Sequence, residues 1–194
     1  ENYESYYDIR YPGDDRMAGR PLKVSSAYEW HKAHGAIFGE KSAWERVNFY
    51  SVNENPAHES LRPRGWAGKN WSTAIVTESL ATRNKVGIYD ESSFSKIAVT
   101  GPGASAWMDW LCANKVSKGT GSVTYTQMLN EKGGIECDVT VTQTGEQSFR
   151  IISGTALHSH DMAWLRNHLP ADGSVMLKDI TAELTCFGIW GPLT

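Results

Sequence analysis

The segment Ser122–Thr142 constrains this chain more than any other. It reads Ser-Val-Thr-Tyr-Thr-Gln-Met-Leu-Asn-Glu-Lys-Gly-Gly-Ile-Glu-Cys-Asp-Val-Thr-Val-Thr, two alternating runs about a polar turn that closes on Gly133-Gly134. Period-two alternation belongs to half-buried strands, so the segment predicts an antiparallel hairpin. On the first strand Val123, Tyr125, Gln127 and Leu129 share a face. On the second, Ile135, Cys137, Val139 and Val141 share one, while Glu136, Asp138, Thr140 and Thr142 point the other way. A phenol, Tyr125, and a carboxylate, Asp138, are thereby expected to meet in one small polar pocket. Gly133 and Gly134 require nothing beyond a tight turn with positive φ.

The rest of the chain supplies partners for that hairpin. Lys96–Thr100 reads as a strand, and Gly101-Pro102-Gly103 turns it into a helix. There Ala104, Trp107, Met108, Leu111 and Cys112 recur at helical spacing, with Pro102 near the start. After the hairpin, Gly145 leads into a strand over Ser148–Ser153. A helix from about Thr155 to Leu169 follows, stopped by Pro170 and Gly173. Strands over Ser174–Ile180 and Glu183–Trp190 close the sequence. Upstream, Ser25 or Ser26 is placed to cap a helix through Ala36, and Tyr11-Pro12-Gly13 to Pro21 reads as loop. Residues 61–80 read as loop, Thr77–Val86 as a short helix, and Gly87–Ser92 as its exit. This order is α+β with a largely antiparallel sheet.

Composition excludes several functions. The net charge is −3, with no Lys/Arg run, which argues against nucleic acid or an anionic membrane as partner. No window approaches a transmembrane span. The three cysteines, Cys112, Cys137 and Cys186, are odd in number and lack C-x-x-C spacing, the usage of reduced, buried thiols in an intracellular protein. Gly101-x-Gly103 and Gly119-x-Gly121 lack a third glycine, and no G-K-[ST] occurs, so neither a dinucleotide nor a phosphate loop is present. No metal is expected. His158 and His160 diverge by about 200° on a helix, and no acid or cysteine pair with ligand spacing accompanies His31 and His34. Without an initiator Met, and ending straight after a strand-like run, the sequence reads as a fragment.

The hairpin resembles the folate-binding domain of the aminomethyltransferase (glycine-cleavage T-protein) family, which recurs at the C-terminal end of dimethylglycine and sarcosine dehydrogenases. In that family a Tyr opens the first strand and an Asp follows thirteen residues later, just past the Gly-Gly turn; here these are Tyr125 and Asp138. Many members carry two adjacent acids at that point, where this chain has Cys137-Asp138. The words Tyr11-Pro12, Ala18-Gly19-Arg20-Pro21, Gly35–Glu40 and Trp44–Phe49 resemble the linker joining the flavin and folate halves of those dehydrogenases.

The resemblance implies an aminomethyltransferase folate-binding fold, present in its N-terminal part. Residues 1–60 would be linker from a preceding flavin-oxidoreductase region. Residues 61–194 would be the start of the folate domain, cut short at its C-terminus and inactive by itself. The implied reaction passes a one-carbon unit from an N-methylated amine to tetrahydrofolate, FAD belonging only to the absent N-terminal half of the parent. Asp138 would be catalytic, orienting folate and assisting proton movement. Tyr125 would pack against folate, and Ser153, Gly154 and Thr155 would bring backbone groups to the pterin. From strand pattern alone Asp138 is more readily an ordinary solvent-facing acid. Tyr125 is an ordinary sheet aromatic by the same reading, and Ser153–Thr155 a helix cap. Asp161, on the apolar face of its helix, is expected to tie down a backbone group or an Arg. The expected partners are folate, an N-methylated amine and a flavin domain of the same parent chain, in cytoplasm or, in a eukaryote, the mitochondrial matrix. The competing reading is a non-catalytic ligand-binding or interaction module, or a demethylase-like relative.

Overall fold

The structure, a computed structural model, describes Tyr7, Ile9, Tyr11 and residues 14–194. Pro12 and Gly13 of the expected N-terminal loop lie outside the described residues. The chain forms α1 (Tyr28–Ala33), β1 (Ala36–Lys41), β2 (Trp44–Tyr50), α2 (Ala74–Asn84), β3 (Gly87–Asp90) and β4 (Ser95–Thr100). There follow α3 (Ala104–Leu111), β5 (Val123–Leu129), β6 (Ile135–Gly145), β7 (Ser148–Ser153), α4 (His158–Asn167), β8 (Met176–Asp179) and β9 (Phe187–Trp190). Two compact units result, one reaching to Asp90 and including Phe187–Thr194, the other Glu91–Cys186.

The second unit is an α+β layer. Its five strands run β5-β6-β7-β4-β8, every neighbouring pair antiparallel. Alternation decides its faces. Ile97, Val99, Met128, Cys137, Val139, Val141, Phe149 and Ile151 all turn to one side and are buried. Trp107, Met108 and Leu111 of α3, with Met162 and Leu165 of α4, complete that core. Each large apolar side chain so buried contributes about 1.5–3 kcal/mol. The indole of Trp107 keeps its polar end satisfied by donating to the His168 carbonyl at 2.7 Å. The hairpin turn closes as its sequence requires: Gly133 has φ +79°, and the Asn130 carboxamide oxygen accepts from the Lys132 and Gly134 amides.

The first unit departs from the sequence reading in several places. α1 ends at Ala33, and Gly35, with φ +80°, turns the chain into β1 where helix was expected through Ala36. Neither Ser25 nor Ser26 caps it: the residue before the helix is Ala27, and the Ser25 hydroxyl donates to the Asp90 carboxylate. Both serines fall short of the capping position, where their oxygens would have to accept from the first-turn amides. The linker-like words Gly35–Glu40 and Trp44–Phe49 fall in the β1–β2 hairpin, reversed at Ser42 and Ala43, both with positive φ. α2 begins at Ala74 rather than Thr77. Gly87–Asp90 is a strand rather than a helix exit, and it pairs with β9, so the last strand stands outside the five-stranded sheet. Buried His31 bridges Tyr50 Oη at 2.6 Å and Asp90 Oδ2 at 3.1 Å, joining α1, β2 and β3.

Candidate functional site

β5 and β6 carry two kinds of residue on opposite faces, and the face away from the core is the one with chemistry. In the register of the pair, Gln127 lies opposite Asp138 and Tyr125 opposite Thr140. Tyr125 is therefore diagonal to Asp138 on the same face. Gln127 Nε2 donates to Asp138 Oδ1 at 3.3 Å. A hydrogen bond with the Asp138 carboxylate, then burial and the carboxylate's charge, hold the Tyr125 phenol above its ordinary pKa. The two side chains do not close a pocket, because Tyr125 is 63% exposed and Asp138 is exposed. They form an open surface, rimmed by the exposed Val123, Leu129 and Ile135; Ile135 leaves the Cys137 face on which alternation put it, because the register shifts between Met128 and Leu129.

Arg150, which the sequence reading passed over, stands on the same face opposite Thr142, its Nε buried without a hydrogen-bond partner. Its signal was its place as the one cation alternating with the apolar residues of β7. Lys96 occupies the same side and is fully buried. Its ammonium donates to the carbonyls of Ser92 and Phe94, at 2.9 and 3.0 Å, and more loosely to Thr181.

The Ser153-Gly154-Thr155 junction lies elsewhere. Ser153 faces the core side with Phe149 and Ile151, its hydroxyl buried and without a partner. The Thr155 hydroxyl meets that of Ser93 at 3.0 Å, and no side chain caps either the short 3-10 turn at Thr155–Leu157 or α4. The expected cap is therefore absent, because both hydroxyls are turned inward. A Cβ on Gly154 would meet nothing nearer than 3.9 Å, so the glycine leaves space rather than filling a tight approach. Nearby, Ser95 Oγ, His158 and Asp179 form a Ser–His–carboxylate chain, at 2.7 and 3.2 Å. Ser95 is 1% exposed, and a nucleophile so enclosed cannot meet a substrate. The chain ties β4, α4 and β8 together.

Asp161 contradicts its expectation. It binds neither a backbone group nor an Arg: Oδ1 pairs with His160 Nδ1 at 3.1 Å, and Oδ2 is buried without a hydrogen-bond partner. Burial, then the charge of Asp161 and a hydrogen bond to it, push the facing Cys137 thiol up. One donor atom each from Cys137, His160 and Asp161 lies within 4.8 Å of the other two. Sequence spacing missed this cluster because Cys137 arrives from β6 and the other two from α4.

Among the described residues no helix is long and apolar enough to cross a membrane, and all three cysteines are free.

This α+β arrangement is that of the glycine-cleavage aminomethyltransferases. The crystal structure of glycine cleavage system aminomethyltransferase T from Bartonella henselae superposes with TM-score 0.69 at 25% identity, covering 89% of this chain and 41% of that one. The pattern of the GCVT N-terminal domain family matches residues 27–194, and the chain belongs to that family. It is 30% identical over 188 residues to the mitochondrial pyruvate dehydrogenase phosphatase regulatory subunit of Mus musculus, covering 96% of this chain and 21% of that protein. It is 27% identical over 194 residues to the mitochondrial dimethylglycine dehydrogenase of Rattus norvegicus, covering 99% and 22%. The chain thus spans about a fifth of the length of these relatives.

Proposed function

We propose that this chain is the folate half of a one-carbon transfer enzyme of the dimethylglycine or sarcosine dehydrogenase kind. Tetrahydrofolate is its cofactor and an N-methylated amine its substrate. The observation that carries the reading is the pairing of Tyr125 and Asp138 on one open sheet face, in a chain of the aminomethyltransferase family. The residues present fit such a ligand. An exposed phenol and the apolar rim of Val123, Leu129 and Ile135 suit a flat heteroaromatic ring, and an accessible carboxylate suits its N–H groups.

When bound, tetrahydrofolate supplies the nitrogen that accepts the one-carbon unit. Asp138, exposed at the surface, accepts an N–H and offsets positive charge beside it. Gln127 fixes the carboxylate's orientation through its 3.3 Å hydrogen bond. Tyr125 packs against the ring. Ser153 and Thr155, with their side chains turned inward, act only through backbone groups around Gly154.

In the same reading the chain joins the end of a flavin-oxidoreductase region to the start of the folate domain. FAD belongs to the N-terminal half of the parent, and the compartment is cytoplasm or mitochondrial matrix. The piece alone is inactive. The similarity to a phosphatase regulatory subunit favours a second reading, a non-catalytic interaction module.

In the parent protein, Asp138→Ala is expected to leave flavin-dependent amine oxidation nearly intact and abolish coupled transfer to tetrahydrofolate. Normal coupling in that variant would overturn the assignment. A wild-type parent that oxidises no amine and transfers no one-carbon unit would favour the regulatory reading.

A further inference from the structure

Behind the hairpin, on the core side of β6, the cluster of Cys137, His160 and Asp161 has no role in one-carbon transfer. Cys137 is 1% exposed and Asp161 is 1% exposed, while His160 is half exposed and gives the cluster its opening to solvent. A buried carboxylate with one oxygen satisfied and the other orphaned costs several kcal/mol unless a proton or cation meets it. Asp161 Oδ2 has no nitrogen or oxygen partner, and the weakly donating Cys137 thiol faces its carboxylate.

We infer that Cys137 Sγ, His160 Nδ1 and the Asp161 carboxylate are the protein ligands of a zinc-class divalent cation. Three features of the geometry support this, and none involves Tyr125 or Asp138. The donor set is one sulfur, one nitrogen and one oxygen, which suits Zn²⁺ or Co²⁺ and disfavours Mg²⁺ and Ca²⁺. The 3.1 Å between His160 Nδ1 and Asp161 Oδ1 is close to the edge of about 3.3 Å expected between ligands of a tetrahedron with bonds near 2.0 Å. The third is the outer shell. His160 turns its other nitrogen, Nε2, toward Glu136 Oε2 at 3.4 Å, and Asn130 Nδ2 holds the other Glu136 oxygen at 2.7 Å. A carboxylate on the far nitrogen is how metal-bound imidazoles are oriented.

Charge also balances. Binding displaces the Cys137 thiol proton and any proton on His160 Nδ1 to solvent. A thiolate and a carboxylate then neutralise the divalent ion, leaving a position open for water. The metal would pin α4 to β6 directly behind the candidate folate face.

Without metal the same groups form an ion pair, imidazolium between Asp161 and Glu136 with Cys137 as thiol, and the test separates the two. Protein stripped with chelator and kept in a phosphine reductant is titrated with Co²⁺. One equivalent should bind and develop the near-ultraviolet sulfur-to-cobalt charge-transfer band, which added Zn²⁺ abolishes. Cys137→Ala should lose the band, and Cys112→Ala, at a buried thiol outside the cluster, should keep it. His160→Gln, at a half-exposed position that tolerates change, should weaken Co²⁺ by at least the roughly tenfold that losing an outer-shell partner costs. If Cys137→Ala does not fold, the wild-type band and the His160→Gln shift still decide. No band in the wild type, a band that survives Cys137→Ala, or unchanged affinity in His160→Gln would each overturn the site.

Discussion

Cys137 and Asp138 are adjacent in sequence and opposite in environment. The thiol faces the core and Asp161, while the carboxylate faces solvent with Gln127 and Tyr125 as neighbours. One strand residue apart, they separate a buried cluster from an open surface, because successive side chains of a strand leave opposite faces.

That separation makes the stability cost of substitution asymmetric. Asp138→Asn and Tyr125→Phe remove groups from an exposed surface, so each should change unfolding free energy by no more than about 0.5 kcal/mol. Asp161→Leu, at a site 1% exposed beside Cys137 and His160, should shift it well beyond that range. Urea denaturation of the three variants checks the contrast. A large loss in Asp138→Asn would mean that the carboxylate is structural.

Gly101 should resist replacement. It has φ +124°, and a Cβ there would stand 2.3 Å from the Ser174 carbonyl oxygen, which is backbone and cannot rotate aside. Gly101→Ala therefore combines backbone strain with a clash and should cost more than about 1 kcal/mol. Gly133→Ala, with φ +79° and nothing within 4 Å, carries the strain alone and should cost less. Equal thermal midpoints for the two variants would refute the ordering.

Asp109 predicts one component of acid sensitivity. Burial pushes its carboxyl up. Hydrogen bonds from the Ser117 hydroxyl and from the Ser117 and Val116 amides, at 2.9 and 2.8 Å, together with Lys115, outweigh it and hold the carboxyl below its ordinary 3.8. The folded state thus binds the proton more weakly than the unfolded chain. Its contribution is fully present above the unfolded value and is lost as pH falls through the lower folded one. Asp109→Asn should be less stable than wild type at neutral pH, and the gap should narrow as pH falls below about 3.8. Denaturation midpoints measured across that range test it; a gap independent of pH would contradict it.

Thiol accessibility should rank the cysteines. Cys186 is half-buried, whereas Cys112 and Cys137 are buried, and burial followed by the charge of Asp109 raises the Cys112 thiol to about 12. An alkylating agent at neutral pH should label Cys186 first and the other two only on unfolding. After denaturation without reductant all three should titrate as free thiols. Rapid native labelling of Cys112 would show that its region opens locally.

Much of the second unit was legible in the sequence. Period-two alternation over Val123–Thr142 and Ser148–Ser153, and helical spacing over Ala104–Leu111, each bury one face, and burial of one face is what these periods record. The same alternation puts Tyr125 and Asp138 on a common face. Local pattern failed where a residue's environment comes from distant chain. Ser25 looked like a cap, but the helix starts three residues later at Tyr28, and its hydroxyl turns to Asp90, far along the chain. Gly87–Asp90 looked like a helix exit, because its exposed Ile88 and Tyr89 show no alternation and only pairing with β9 makes it a strand.

The sequence by itself therefore determined the α+β class, the hairpin and the common face of phenol and carboxylate, since each follows from short-range periodicity. Only the tertiary structure decided that this pair stands on an open surface. Only it, too, brought Cys137 of β6 against His160 and Asp161 of α4. Distance along a chain says nothing about distance across a packed core, and a cluster assembled from two elements carries no spacing to read.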